Sequence, residues 1–280
     1  MLKRTNIFNR SLILKFLYPI CLLSMFLDLF PHKKIVSKKN KSLFKLKTTS
    51  SHDRMRHKTF FQKEPETIKW LDSLADIHGN NQFVFYDIGA NIGIYSLYLS
   101  SVNPTCKIFA IEPESTNFSS LNTNIGLNGF TKIRPCMLAL SDKTSFQDLH
   151  VSIIESGAGA SSVGQDYQYV KNRKIHKQGV MTYKLDDLVK EDYFEFPNFI
   201  KIDVDGHENQ ILKGAQCVMA DRRLKGMLIE YEYQSQKSKD EFIQYVEEYG
   251  FSFSSESDWT DQVEDLGVSI QNFIFTRDEP

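Results

Sequence analysis

Three short stretches carry residue types from which a binding site can be built. The first is Asp87-Ile-Gly-Ala-Asn-Ile-Gly93, which follows an apolar run. Glycine at such a turn permits left-handed backbone and lets a ligand approach the main chain, and the helix that follows offers free N–H groups. A dinucleotide turn needs G-x-G-x-x-G, its second glycine clearing room for a pyrophosphate. Asn91 and Ile94 stand at the second and third glycine places, so that fingerprint fails. An acid ending the strand also disfavours a pyrophosphate and suits a cationic ligand. The second stretch is Glu112-Pro113, twenty-three residues after Gly89. A carboxylate there can accept hydrogen bonds from both hydroxyls of a ribose; the plain alternative is an exposed acid before a proline turn. The third is Ile200-Lys-Ile-Asp203-Val-Asp205-Gly-His207-Glu208, a strand delivering acids and a histidine to one turn. Asp-x-Asp followed by His invites a metal, but no second acidic cluster completes a shell, and none is expected. Glu208 can serve as a charge complement to a helix start. His207 is open between a general base and an oriented hydrogen-bond partner.

These stretches need a frame that brings them to one edge. Residues 83–86, 107–111 and 198–204 are apolar runs ending in acids, as expected of strands buried on both faces. Residues 133–140 and 226–229 read as further strands, and helical periodicity covers 65–78, 92–99, 115–127, 207–219 and 239–249. Such alternation predicts a doubly wound, mainly parallel sheet. Residues 251–255 and 268–275 are two late strands without a helix between them, which predicts one antiparallel edge strand. Residues 147–178 break the alternation and read as an inserted loop or hairpin shaping a pocket, with Gly157-Ala-Gly-Ala160 and a basic run 171–174.

Composition sets outer limits. The 280 residues are 41% hydrophobic and 25% charged, which excludes a disordered chain, a collagen-like fibre and a multi-span membrane protein. Four cysteines without a C-x-x-C pair argue against a disulfide framework or a cysteine zinc site. The charge is divided unevenly. Residues 1–63 hold fifteen Lys and Arg against Asp28 and Asp53, whereas residues 64–280 hold 19 basic and 33 acidic side chains. This separates a basic N-terminal extension, 1–63, from an acidic body, 64–280. Within the extension, residues 12–30 carry fifteen apolar side chains in nineteen positions, about the length of a helical span. Membrane contact through 12–30 is one reading and an interfacial helix or poorly ordered arm the other. If it spans, the charge bias places the body on the cytoplasmic side; otherwise the protein is expected in the cytoplasm. No nucleic-acid partner is expected, because the lysine cluster lacks interleaved aromatics.

The ordered set of motifs resembles the FkbM-type family of S-adenosylmethionine-dependent methyltransferases. The matching pieces are residues 87–96, Glu112-Pro113, Leu-Asn-Thr-Asn-Ile-Gly-Leu-Asn at 121–128, Thr-Tyr-Lys-Leu-Asp-Asp-Leu at 182–188 and, most distinctive, 200–215. The likeness covers about residues 83–276. It implies a Rossmann-like class I methyltransferase fold: a seven-stranded, mostly parallel α/β sheet with one antiparallel edge strand, behind the basic extension. It further implies transfer of a methyl group from S-adenosyl-L-methionine to a hydroxyl, with a sugar, glycan or related small-molecule acceptor. By the same resemblance Asp87, Gly89, Asn91 and Gly93 line the methionine side of the cofactor and Glu112 holds its ribose. Ser141 and Asp142 fall beside its adenine, and Asp203 lies near the methyl. His207 or Asp205 is the candidate to take the hydroxyl proton. Residues before about 64 match nothing in the family pattern.

Two rivals follow from the same residues. A nucleotide-dependent oxidoreductase is disfavoured by the failed glycine fingerprint. A membrane-tethered, non-catalytic binding module keeps the fold without turnover, and intact Asp87, Glu112 and Asp203 speak against it. Asn117-Phe-Ser119 fits the N-glycosylation pattern but falls on an expected helix, where chance is the simpler reading.

Overall fold

The structure is a computed structural model, and it describes residues 32–36, 43–79, 81–159, 161–164, 175–258, 260–263 and 267–277. The apolar segment 12–30 and the basic run 171–174 lie outside the described residues. Among the described residues no helix is long and apolar enough to cross a membrane.

The described residues begin with an antiparallel pair, β1 (His32–Val36) and β2 (Leu43–Lys47), followed by α1 (Ser51–Lys63) and α2 (Pro65–His78). Ser50 and Asp53 form a reciprocal capping box that starts α1. Pro65 stands at the first turn of α2, where its missing N–H costs nothing. Ile68, Leu71, Leu74 and Ala75 form its buried face, at the spacing the periodicity predicts. Then come β3 (Val84–Ile88), α3 (Ile94–Val102), β4 (Lys107–Ile111), α4 (Ser115–Asn128) and β5 (Ile133–Cys136). A second group follows: β6 (Ala139–Leu140), β7 (Ser145–Val151), β8 (Ser161–Val163), β9 (His176–Tyr183) and α5 (Leu185–Lys190). The last part holds β10 (Phe199–Ile202), α6 (Glu208–Lys213), α7 (Gln216–Ala220), β11 (Gly226–Tyr233), α8 (Gln236–Glu247), β12 (Ser252–Glu256), β13 (Asp261–Val263) and β14 (Val268–Thr276).

The central sheet runs β12-β14-β11-β10-β3-β4-β5, with β13 attached to β14. Five neighbouring strands, β11, β10, β3, β4 and β5, are parallel. This is the expected α/β, mostly parallel, Rossmann-like architecture. The antiparallel strand is β14, which lies one place in from the edge because β12 pairs outside it. Chain order reverses beside β3: β4 lies on one side of it and β10 on the other. That reversal opens a crevice at the carboxyl ends of the strands.

Alternate residues of the strands feed two cores. Phe83, Phe85 and Phe199 face a cluster with Trp70, Leu71 and Leu97. Val84, Tyr86, Ile88, Ile200 and Ile202 face another, with Ile211, Met227 and Phe273. The period-two division of one strand between two apolar layers is why these runs read as continuous hydrophobics.

Three expectations need correction. Residues 133–140 are not one strand, since β5 ends at Cys136 and Ala139–Leu140 joins β9 in another sheet. Residues 147–178 are not merely an inserted loop: β7, β8 and β9, with β6, make a four-stranded sheet. That sheet has its own apolar cluster of Ala139, Leu149, Val151, Val163 and Val180. The expected helix 207–219 is two short helices, because Gly214 packs where a Cβ would lie 2.0 Å from the Ser141 carbonyl.

The polar composition of residues 43–63 conceals their packing. Phe44, Leu46 and Phe60 belong to the same buried cluster as Phe85 and Leu97. Main-chain groups of β2 are met by the asparagines of α4: Lys45 and Lys47 N–H donate to Asn128 and Asn124 Oδ1 at 2.7 and 2.8 Å. Leu46→Ala is expected to cost about 2–5 kcal/mol, the usual loss for a buried leucine, in urea unfolding. A cost below about 1 kcal/mol would mean that β2 is not part of the core.

Candidate active site

The crevice at the strand ends is a cleft of about 580 Å3, open mouth included. Its walls come from the three sequence stretches and from the segment that precedes and includes β8. Gly89 and Asn91 supply one side, Glu112 and Pro113 the next, and Asp203, Asp205 and His207 the third, while Ala158, Gly159 and Ser161 approach from above. No lysine or arginine lines it among the described residues, so three carboxyl groups set its polarity.

The glycine turn is built by close packing. Gly89 has φ +79, and a Cβ there would stand 1.8 Å from the Asp203 carbonyl oxygen. Only glycine lets the ends of β3 and β10 approach so closely. Gly93, φ +84, precedes α3, and a Cβ on it would meet Leu121 at 2.3 Å. The amides of Gly89 and Ala90 both donate to the Ile111 carbonyl. Asn91 holds a left-handed φ of 52 and its N–H donates to Glu112 Oε2 at 2.7 Å. Its own Oδ1 accepts from Ile92 N–H at 2.9 Å, a local bond that asparagine uses to tolerate this backbone.

Glu112 is buried at the end of β4 with both oxygens engaged. Oε1 accepts from Glu114 N–H at 2.8 Å, opposite the Asn91 bond. Burial pushes its carboxyl up to about 8, against the pull of those two amides. Glu208, also pushed up to about 8 by burial, accepts from Gly206 N–H at 3.0 Å and so ties down the turn before α6. Asp205 sits on that turn with φ +54 and faces Gly159, where a Cβ would stand in ordinary contact, 3.5 Å from Asp205 Oδ2.

Asp87 is not on the cleft wall. It lies fully buried beneath the turn, accepting from Ser96 Oγ at 2.6 Å through Oδ2, while Oδ1 has no partner. Burial raises its pKa, and the Lys201 ammonium opposes that. Lys201 escaped the sequence reading. It is 1% exposed and stands beside Asp87 in the β3–β10 register. Its Nζ lies 2.7 Å from Asp203 Oδ2 and 4.9 Å from the centre of the Tyr95 ring. Burial alone would lower its pKa, yet Asp203, Asp87 and Glu64 hold it above the usual lysine value. Burial would likewise raise Asp203, but Lys201, Glu230 and Lys63 hold that carboxyl well below the ordinary range. Glu230, one residue past the part of β11 that pairs with β10, is hydrogen-bonded to Asp203, and burial pushes its pKa well up, opposite in direction to Asp203. An apolar strand pattern gave no signal for Lys201, and Glu230 carried none beyond ending a strand.

Ser141 and Asp142 differ in exposure, although Ser141 Oγ donates to Asp142 Oδ1 at 3.3 Å. Ser141 is buried and its Oγ meets His207 Nε2 at 3.0 Å, while Asp142 is exposed. Burial lowers the His207 pKa, partly offset by Asp142, so the imidazole is neutral at pH 7. Asn117 is buried, its amide donating to the Ala158 carbonyl and accepting from Gly157 N–H, which leaves no room for a glycan. Among the described residues no group of three or more His, Cys, Asp or Glu is arranged to hold a metal.

Comparison with known proteins bears on this geometry. The model of the methyltransferase FkbM domain matches residues 87–253. Hexuronic acid methyltransferase AglP of Haloferax volcanii is 31% identical over 134 residues, covering 47% of this chain and 49% of that protein. Methyltransferase sdnD of Sordaria araneosa is 28% identical over 160 residues, 48% of this chain and 61% of that protein. The chain thus spans about half to three-fifths of the length of these relatives. The crystal structure of Methyltransferase FkbM from Methylobacillus flagellatus is similar at a TM-score of 0.44 and 17% identity, covering 69% of this chain and 43% of that one.

Two measurements test the electrostatics. Lys201→Met is expected to cost about 3–5 kcal/mol at pH 7, since it strands Asp203 without its partner. The depressed Asp203 contributes stability above its unfolded pKa and loses it as pH falls through the folded value. The gap between the two proteins in urea should therefore narrow at low pH, and a pH-independent gap would refute the pairing. Glu112 has the opposite sign. Its raised pKa means stability falls as pH rises from about 4.5 to about 8, by up to about 1.4 kcal/mol per pH unit. Glu112→Gln should remove that slope, gaining on the wild type between pH 5 and pH 8; a constant difference would mean that Glu112 ionises freely.

Proposed function

Since the chain belongs to the FkbM methyltransferase family, we propose that it is an S-adenosylmethionine-dependent O-methyltransferase acting on a hydroxyl of a sugar, glycan or related metabolite. The observation that carries this reading is the braced Glu112 carboxylate, held by two main-chain N–H groups beside a glycine turn in an acidic cleft. A nucleoside with a cationic centre fits that lining. A ribose offers two hydroxyl donors to a carboxyl already aimed by the backbone, and the ionised Asp203, on a wall without lysine or arginine among the described residues, favours a sulfonium. A pyrophosphate would meet Glu112, Asp203 and Asp205 without a compensating cation. The hexuronic acid methyltransferase among the relatives supports a sugar-class acceptor.

The bound cofactor supplies an activated methyl group, so the chain's task is positioning, exclusion of water and disposal of one proton. Gly89, Asn91 and Gly93 shape the methionine side, and Asp87 stiffens the turn from beneath through Ser96 and Lys201. Glu112 holds the ribose. Ser141, through His207, fixes the wall where adenine rests, with Asp142 at its rim. Asp203, kept ionised by Lys201, would favour the positive charge of a sulfonium held at this end of the cleft. Asp205 and His207 are the groups assigned to accept the hydroxyl proton: His207 is neutral at pH 7, and Asp205 reaches the cleft from a left-handed turn.

Calorimetric titration of the full chain with S-adenosylmethionine, S-adenosylhomocysteine and NAD tests the reading. The two methionine-derived nucleosides should bind and NAD should not, with affinity falling at least about tenfold in Glu112→Ala, as expected for losing one or two hydrogen bonds to the ligand. Turnover of a labelled methyl donor with hydroxylated sugars then tests the acceptor class. A folded protein that binds neither nucleoside would overturn the assignment, and binding without turnover on any acceptor would favour a non-catalytic module.

A further inference from the structure

The roof of the cleft is fastened by residues that lie ahead of the family-matched stretch. Ala158 and Gly159 line the cleft, and the Ala158 carbonyl accepts from Asn91 Nδ2 at 2.7 Å and Asn117 Nδ2 at 3.0 Å. Residues 155–159 therefore bond to the glycine turn through Asn91 and line the same cleft as Asp205. Residues 155–157 are bound on their outer side by the start of α1. Ser51 N–H and Oγ donate to Glu155 Oε1 at 2.8 and 2.9 Å, and His52 Nδ1 lies 3.0 Å from Glu155 Oε2. Ser50 Oγ donates to the Ser156 carbonyl at 2.5 Å. Ser156 Oγ donates in turn to Asp53 Oδ1 at 2.6 Å, and Arg56 Nε to the Gly157 carbonyl at 2.6 Å. Gly157 has φ +81, and a Cβ on it would meet Asp53 N at 3.0 Å, so the two segments lie in main-chain contact.

We propose that residues 50–56 are a positioning clamp that sets the 155–159 roof over the cleft and thereby controls affinity for the nucleoside bound there. Six hydrogen bonds join two short polar segments that carry few apolar contacts of their own. Such a segment opens locally at low cost unless it is tied down, and ordering it beforehand removes a cost that a ligand would otherwise bear. The clamp residues touch neither the cleft nor its ligand; they act through Ala158 and Gly159. The same helix ends at Lys63 and Glu64, beside the Asp203–Glu230 pair, so α1 joins the roof to the acidic floor.

The proposal rests on the cleft being the nucleoside site, and its test has one arm that does not. Amide hydrogen exchange of the full chain should show 155–159 exchanging faster in Arg56→Met and in Ser156→Ala, with the central strands unchanged. S-adenosylhomocysteine affinity should fall about tenfold in both, the worth of one or two hydrogen bonds. Arg56→Lys, which keeps a donor, should recover much of it. Leu46→Ala, which lowers stability without touching the clamp, should leave affinity unaltered. Unchanged exchange at 155–159 would overturn the clamp. Faster exchange with unchanged affinity would overturn its control of binding. Failure of the wild-type protein to bind S-adenosylhomocysteine would instead overturn the nucleoside reading, the exchange arm still deciding whether the clamp exists.

Discussion

Lys201 is an ammonium buried among carboxylates, and the working end of the sheet is arranged around it. Removing such a charge from water costs several kcal/mol unless partners replace the solvent. Asp203 at 2.7 Å, Asp87 across the β3–β10 ladder, and Glu64 supply that replacement. Each of those acids has a further duty. Asp87 holds Ser96 at the first turn of α3, Asp203 reaches the cleft, and Glu64 joins α1 to α2. Register is set by the same charge, because a slip of one residue would turn Lys201 into the layer of Ile200 and Ile202 and leave it unpaired.

Steric limits complete what the charge begins. The ends of β3 and β10 meet with no space for a side chain at Gly89, and the Ser141 carbonyl leaves none at Gly214. These contacts bring the glycine turn, Glu112 and the Asp203–His207 turn to one crevice, at the place where strand order reverses. Asn91 then ties the turn to both the carboxylate of Glu112 and the roof at Ala158. One asparagine thus registers the floor, the wall and the lid of the cleft against each other.

The N-terminal residues are where composition and packing diverge most. Their lysines and short polar side chains read as an extension, yet Phe44, Leu46 and Phe60 enter the main core. The asparagines of 121–128, noticed as part of a motif, prove to be the partners of β2 main-chain groups. Bonds of this kind join residues 77 to 83 positions apart and leave no periodic trace in either segment. The roof is hidden for the same reason. Residues 147–178 read as an inserted loop or hairpin, and the place of 155–157 is set by serine, histidine and arginine side chains a hundred residues earlier.

Local physics made much of this protein legible in one dimension. Apolar runs ending in acids marked β3, β4 and β10, helical spacing marked α2 and α4, and glycine beside an acid marked the turn at 87–93. Those signals work because backbone conformation and burial of a strand depend on neighbours within a few residues. They also named Glu112, Asp203, Asp205 and His207, which the fold does bring to one cleft. What they could not decide was where each acid's charge would go. Only the packed sheet sets Asp87 beneath the turn instead of in the cleft, pairs Lys201 with Asp203, pushes the Glu230 pKa up and turns His207 onto Ser141. Those outcomes depend on burial and on partners from other strands, and a pKa or an ion pair is a property of that assembled surrounding, not of the residue's place in the chain.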